Sequence, residues 1–144
     1  MPEFRLSCYA WVRNRRGEIL VLRRSSEKRR FAGQWELPGG KLEEGETLAA
    51  ATHREVGEEA GIAIILRGLA GAVELALDKY RVILLIFEAT TAARKVTLSH
   101  EHQDWRWVRL KDIEAMNITP PLRRFLRNYR GGAGRSAGRE GRRR

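Results

Sequence analysis

The sequence has 144 residues, with 28 Lys or Arg against 18 Asp or Glu, so its formal net charge is +10. This length fits one domain, its 42% of hydrophobic residues can form a buried core, and its one cysteine excludes an internal disulfide and a multi-cysteine zinc site. The longest apolar run, Val82–Phe87, is far below the ~20 residues that span a bilayer. The N-terminal residues Met1–Arg5 do not have the apolar core of a signal peptide. We therefore expect a soluble, cytoplasmic protein that does not bind membranes.

The N-terminal part of the chain predicts a β-hairpin followed by a loop. Residues Phe4–Val12 are rich in apolar and aromatic side chains, which is typical of a strand, and Glu18–Arg23 forms the returning strand after a turn that contains Asn and Gly. Beyond a polar loop at Ser25–Gly33, the short extended segment Gln34–Leu37 is expected to stop at Pro38-Gly39-Gly40.

Residues Thr47–Ala60 form the clearest predicted helix. The segment is rich in alanine, and Thr47 is a suitable N-cap because it follows the acidic run Glu43–Glu46. Gly61 stands where a helix commonly ends in the left-handed conformation.

Strands and helices alternate through the rest of the chain. A strand is expected over Ile62–Leu77, broken at Gly68 or Gly71, and it forms a hairpin with a second strand over Tyr80–Ala89. The remaining predicted elements are a strand at Trp105–Arg109, a helical turn at Lys111–Ala115 and a helix that begins at Pro120 and runs to Tyr129. Interleaved helices and hairpins predict an α/β fold with a mixed sheet.

The basic charge is concentrated at the C-terminus. From Leu122 to Arg144 there are nine Arg and one Glu, a net charge of +8, which leaves only +2 for the preceding 121 residues. We therefore divide the chain into a domain at residues 1–130 and a disordered, Gly- and Arg-rich tail at residues 131–144. Nucleic acid is not an expected partner, apart from weak contacts by this tail.

Three carboxylates share one face of the predicted helix. Glu55, Glu58 and Glu59 stand at positions i, i+3 and i+4, a spacing that aligns side chains along a helix. Hard oxygen ligands of this kind suit Mg²⁺ or Mn²⁺. Taken alone, the same pattern also fits a solvated acidic face paired with a neighbouring arginine such as Arg54.

The surrounding residues distinguish these two interpretations. Gly40, then five residues, Glu46, then seven residues, then Arg54–Ile62 matches the Nudix box, G-x5-E-x7-R-E-U-x-E-E-x-G-U, at every specified position. In this pattern U is a bulky aliphatic residue, here Val56 and Ile62. Because nine positions agree within 23 residues, we say that the chain resembles the Nudix hydrolase family.

This resemblance implies an α/β/α sandwich on a mixed sheet, in which the box forms a loop–helix–loop. It also implies a pyrophosphohydrolase that depends on a divalent metal and cuts phosphoric anhydrides in nucleoside diphosphate derivatives. The implied metal ligands are Glu55, Glu58 and Glu59, together with Gly40. Mg²⁺ is the expected cofactor and Mn²⁺ a substitute, because metal ions neutralise phosphates and acidify the attacking water.

The resemblance assigns further roles within the box and beyond it. Glu55 doubles as the base that deprotonates water, and the ion pair between Glu46 and Arg54 holds helix and loop in register. The segment Ser99–Val108 is similar to a family segment in which an acidic residue precedes a Trp-containing strand, so Glu101 is predicted as a ligand or base, the alternative being an exposed loop carboxylate.

Residues before the box resemble the MutT-like group, which converts nucleoside triphosphates to monophosphate and pyrophosphate. Arg24 matches a substrate-contacting arginine of that group, although a surface arginine is an equal alternative. Asn117 lies where the group places an amide that contacts the base, and a turn or N-cap role fits it too. The other predicted substrate contacts are Trp35, as a base-stacking residue, with Leu37, Gly39 and Gly40.

The predicted substrate is accordingly a normal or oxidised nucleoside triphosphate. A dinucleoside polyphosphate is the main alternative, because Tyr80 stands 18 residues after Ile62, where such hydrolases often have tyrosine. An ADP-ribose hydrolase is less expected, since Asp78 occupies the position of its usual proline. An RNA 5′-end hydrolase or RNA-binding module is also a lesser alternative, and the protein is expected to be a monomer or homodimer.

Overall fold

The computed structural model describes residues 3–129, so the predicted tail at residues 131–144 lies outside the described part of the chain. The elements in chain order are β1 (Glu3–Arg13), β2 (Ile19–Arg24), β3 (Trp35–Glu36), β4 (Gly39–Lys41), α1 (Leu48–Ala60), β5 (Ile65–Ala76), β6 (Tyr80–Thr90), β7 (His102–Val108), α2 (Leu110–Ile113) and α3 (residues 120–129). Within residues 3–129, no helix is both long and apolar enough to cross a membrane.

The strands form one mixed sheet. Its order is β3-β2-β1-β6-β5, with β4 paired to β1 and β7 paired to β2. β1 and β6 run parallel, and the other pairs of strands are antiparallel. The predicted α/β class and mixed sheet are confirmed.

The sheet separates two hydrophobic cores because side chains alternate along each strand. On one face, Ala10 and Val12 of β1 pack with Val56 and Ala60 of α1. On the other face, Trp11 packs against α3, its ring centroid 5.2 Å from that of Phe125. Helices therefore cover both faces, as the predicted α/β/α sandwich requires.

The capping residues place α1 as the sequence predicts. The Thr47 hydroxyl accepts a hydrogen bond from the Ala50 N–H at 3.1 Å, and Gly61 adopts a left-handed conformation with φ of 66°.

The glycines of β5 lie at irregular positions of the sheet, since the register with β6 shifts next to Gly68 and next to Gly71. β5 continues through both shifts as one strand.

Several predicted boundaries are wrong, and two of these errors have a common cause. Pro38 does end one extended segment, but Gly39–Lys41 form a further strand, β4, antiparallel to β1. β7 begins at His102, three residues before the predicted start at Trp105, because β2 supplies pairing partners as far as Arg24. Both errors concern strands whose pairing is decided by distant segments of the chain.

We predict opposite effects for alanine at two glycines, one just before β4's Gly40 and one within α1. Gly39 has φ of 156°, and a Cβ there would overlap the Cys8 carbonyl oxygen and the Tyr9 backbone. Gly39→Ala should lower the free energy of unfolding by about 3 kcal/mol. Gly57, exposed within α1 with nothing within 4 Å of a Cβ, is the control: Gly57→Ala should raise it by about 1 kcal/mol. Equal urea midpoints for the two variants would contradict this.

Candidate active site

A cavity of about 600 Å³ lies over the face of the sheet formed by β1 and β6. Five glutamates line it, among them Glu55, Glu59 and Glu101, together with Gly39 and Gly40. Its floor is apolar and is formed by Val82, Leu84 and Ile86. Its wall includes the basic side chains of Arg24, Lys28 and Arg30. The cavity therefore combines negative, positive and apolar surface.

Strand β4 brings two helix carboxylates against the sheet. The N–H of Gly39 donates a hydrogen bond to Glu59 Oε1 at 2.9 Å. The Glu55 carboxyl lies directly against Gly40, where a Cβ would approach it to 2.6 Å. Glycine at position 40 thus lets the backbone approach the Glu55 carboxyl closely.

Arg54 connects the helix to the loop that precedes it. Its guanidinium donates to Glu46 at 2.7 and 2.9 Å and to the Lys41 carbonyl at 3.0 Å. It also contacts Glu55 at 2.9 Å and Glu58 at 3.3 Å. The hydrogen bonds from Arg54 lower the pKa of Glu46 to about 2. The predicted pair of Glu46 and Arg54 is thus in contact.

Burial makes Glu59 an unusual carboxyl group. Glu59 is 5% exposed. Desolvation raises the pKa of its carboxyl group to about 9, and the nearby carboxyls of Glu36, Glu101 and Glu55 add to this shift. Burial also raises the pKa of Glu55. Both shifts have the same physical cause, since water is removed from acidic groups that stand close together.

Glu101 enters the cavity from the loop before β7. Its carboxylate lies 3.3 Å from Lys28 Nζ. Although partial burial opposes ionisation, the hydrogen bond with Glu59 and the charge of Lys28 keep the pKa of Glu101 below its ordinary value. The structure thus brings Glu101 together with Glu59 and Glu55, as the sequence predicts for a completing carboxylate.

The carboxylates suit a divalent metal in their chemistry. Hard oxygen donors from Glu55, Glu59 and Glu101 share the cavity, and a cation there would oppose the burial and the neighbouring negative charge that raise the pKa of Glu59. Glu58 is directed to Arg54, and its side chain is 58% exposed. Within residues 3–129, no three His, Cys, Asp or Glu side chains form a ready-made metal site.

Some of the residues predicted to contact substrate line the cavity and others do not. Those that line it are Arg24, Leu37, Gly39, Gly40 and Tyr80. Trp35, predicted to stack on a base, is 6% exposed in the core beneath β2 and does not line the cavity. This placement favours core packing over stacking.

Asn117 is also absent from the cavity lining, although it neighbours the site. It is exposed, its backbone carbonyl accepts from the Trp35 N–H at 2.9 Å, and its side chain accepts from Gln34 at 3.4 Å. The backbone contact pairs this segment with β3, next to the bridge between Trp35 and Ile118.

Sequence reasoning missed two polar residues of the cavity, the partly buried Glu36 and the buried His102. Glu36 stands next to Trp35 in β3, and side chains of consecutive strand residues face opposite sides. A buried Trp35 therefore implies that Glu36 points to the other face. For His102 no local pattern was available, because its burial depends on the pairing of β7 with β2.

Comparison with known proteins agrees with this geometry. The NUDIX domain family matches residues 3–129. The chain is 30% identical over 121 residues to the nucleoside triphosphatase NudI of Escherichia fergusonii, covering 76% of this chain and 86% of that protein.

Solved structures give the same result for the fold. A MutT protein from Methanosarcina mazei Go1 superimposes with a TM-score of 0.85 and 37% identity, over 92% of this chain and 96% of that one. An Ap4A hydrolase of C. elegans gives a TM-score of 0.74 over 90% and 98% of the two chains, but at 22% identity it shows the fold alone.

We predict that Glu59 makes the metal-free protein less stable at alkaline pH. Its pKa is raised from 4.5 to about 9 on folding, so its contribution to stability is complete below pH 4.5 and is lost as pH rises towards 9. Urea unfolding in chelator should show this loss for the wild type but not for Glu59→Gln. Glu44→Gln, at an exposed position, should keep the wild-type slope. An unchanged slope in Glu59→Gln would contradict the prediction.

Proposed function

The chain belongs to the Nudix hydrolase family, and from this premise we propose that it hydrolyses nucleoside triphosphates, normal or oxidised, to monophosphate and pyrophosphate. The observation that carries the proposal is a single cavity that holds both a carboxylate cluster and basic side chains. In it, Glu55, Glu59 and Glu101 face the same space as Arg24 and Arg30. Similarity to the triphosphatase NudI supports the choice of substrate.

The cofactor in this proposal is Mg²⁺, with Mn²⁺ as a substitute. Glu55, Glu58 and Glu59 would hold it together with Gly40, and Glu101 is a further oxygen donor beside them. When bound, the metal neutralises phosphate charge and lowers the pKa of water. For Glu58 to take part, its side chain must leave Arg54, which it contacts at 3.3 Å.

The protein's own groups divide the remaining work. Glu55 is the proposed base, since burial raises its pKa and so strengthens its tendency to accept a proton. Glu101 is the alternative base, and its contact with Lys28 keeps its pKa lower. The pair of Glu46 and Arg54 keeps Glu55 beside Gly40 by tying the loop to the helix.

Substrate binding is assigned to the basic and apolar side chains of the cavity. Arg24 contributes positive charge, whereas Leu37 and the aliphatic floor offer an apolar surface for a nucleobase. Tyr80 also lines the cavity, and the Arg5 guanidinium lies 3.8 Å from its ring centroid.

Tyr80 also favours one second candidate, a dinucleoside polyphosphate hydrolase. A tyrosine that faces the cavity could stack on the second base of such a substrate. The structural likeness to the Ap4A hydrolase does not add to this alternative, because it concerns the fold alone.

A substrate panel tests the proposal directly. Normal and oxidised nucleoside triphosphates, dinucleoside polyphosphates and ADP-ribose are incubated with protein and Mg²⁺, and the products are separated by ion-exchange chromatography. We expect release of pyrophosphate and a nucleoside monophosphate from triphosphates. Preferential splitting of dinucleoside polyphosphates would replace the proposal with its alternative, and hydrolysis of ADP-ribose alone would overturn both.

We predict that Glu58→Gln lowers turnover by about 100-fold or more, because it removes a proposed metal ligand without removing buried volume. The exposed position of the side chain predicts a melting temperature close to that of the wild type. Initial rates at saturating Mg²⁺ measure the effect, with Glu44→Gln as the exposed, nearby control. Wild-type turnover in Glu58→Gln would remove this residue from the proposed mechanism.

A further inference from the structure

Glu36 lies at the centre of a buried polar network beside the proposed site. Its carboxylate accepts hydrogen bonds from Arg24 Nη1 at 3.2 and 3.0 Å. On its other side, Oε2 lies 2.8 Å from His102 Nε2. All three residues line the cavity.

The sheet brings these residues together from three strands. β2 pairs with β3 on one side and with β7 on the other, and Arg24 is the register partner of His102. A register shift between Arg23 and Arg24 marks the end of regular pairing. The network thus occupies the edge of the sheet where the cavity begins.

Burial makes the contacts of Glu36 specific. The exposed fractions of the side chains are 13% for Glu36, 19% for Arg24 and 2% for His102. Little water is available to replace a lost partner, so removing one charge leaves the other groups poorly compensated. Arg24 and His102 therefore both depend on Glu36 for their positions.

One bond orients the imidazole. An ionised carboxylate only accepts hydrogen bonds, so the contact with Glu36 places a proton on His102 Nε2. The other ring nitrogen, Nδ1, is buried and has no hydrogen-bond partner among residues 3–129. Glu36 thus makes the hydrogen bond that sets the orientation of this ring.

Both partners of Glu36 are connected to groups of the site. His102 directly follows Glu101, whose backbone carbonyl accepts from the Ser25 N–H at 3.0 Å. Arg24 Nε donates to the Arg30 carbonyl at 2.9 Å, which ties it to the loop that carries Lys28. Arg24 Nη2 has no hydrogen-bond partner among the described residues.

We propose that Glu36 is a positioning residue that holds Arg24 with Nη2 directed to substrate phosphate and, through His102, holds the loop that carries Glu101. This inference rests on the proposed function, because it assigns phosphate as the ligand of Arg24. It adds Glu36 and His102 to the residues that determine activity, although neither is proposed to contact the reacting atoms.

A double-mutant cycle tests the link between Glu36 and Arg24. With a triphosphate that the wild type hydrolyses, we expect Glu36→Gln to raise KM about tenfold and to lower kcat about tenfold. Arg24→Ala should raise KM by a similar factor, and the double variant should show no further rise in KM. If the increase in KM of the double variant equals the product of the two single increases, the proposal is overturned. A lower KM in Glu36→Gln, which is expected if Glu36 only neutralised Arg24, would overturn it too.

A variant on the other arm separates the two roles. His102→Ala should lower kcat with little change in KM, because it acts only on the loop of Glu101. Glu74→Gln removes a carboxylate that pairs with Arg81 at 3.4 Å and does not line the cavity. It is the matched control and should leave both constants unchanged. If Glu36→Gln lowers the melting temperature but leaves KM and kcat as in Glu74→Gln, Glu36 has a structural role only and the proposal fails.

A measurement without substrate distinguishes this proposal from the proposed function. The ¹⁵N signal of His102 Nε2 and the backbone amide signal of Glu101 should both shift in Glu36→Gln and stay in place in Glu74→Gln. If the wild type hydrolyses no triphosphate, the proposed function fails, while these signals still report whether Glu36 positions the loop. Unmoved signals in Glu36→Gln would overturn the positioning role even in an active triphosphatase.

Discussion

The hydrogen bonds of Arg54 are the interaction on which the arrangement of the site depends. Five acidic side chains fall within 16 residues, from Glu43 to Glu58. Their mutual repulsion would drive the loop and the helix apart if nothing held them together. Arg54 binds Glu46 and the Lys41 carbonyl while it also contacts Glu55. Loop and helix are therefore held as one unit, and Glu55 stays against Gly40.

A second constraint comes from the close contact between β4 and the helix. Gly40 has no side chain and lies directly against the Glu55 carboxyl, while the Gly39 N–H donates to Glu59, which is 5% exposed. Burial of acidic groups costs free energy unless a positive charge or a proton compensates it. The same arrangement that destabilises the ionised carboxylates would therefore favour the binding of the proposed cation.

Much of the local structure and part of the site follow from the sequence. The limits of α1 were predictable because Thr47 and Gly61 act on neighbouring backbone groups. Strand β4 and the true start of β7 were not, because partners in β1 and β2 decide them. The placement of Trp35 in the core has a similar origin, since an aromatic residue near a glycine turn has no local preference between core and cavity.

By itself, the sequence determined the family resemblance, the α/β class and the helix that carries Glu55, Glu58 and Glu59, because periodicity, capping and motif spacing are properties of neighbouring residues. Only the tertiary structure decided that Glu59 is buried while Glu58 is exposed, and that Glu101 stands beside Glu59. It alone decided that Glu36 meets Arg24 and His102. These contacts join segments up to 78 residues apart, from Arg24 to His102, and their positions follow from strand pairing and burial, which no local pattern encodes.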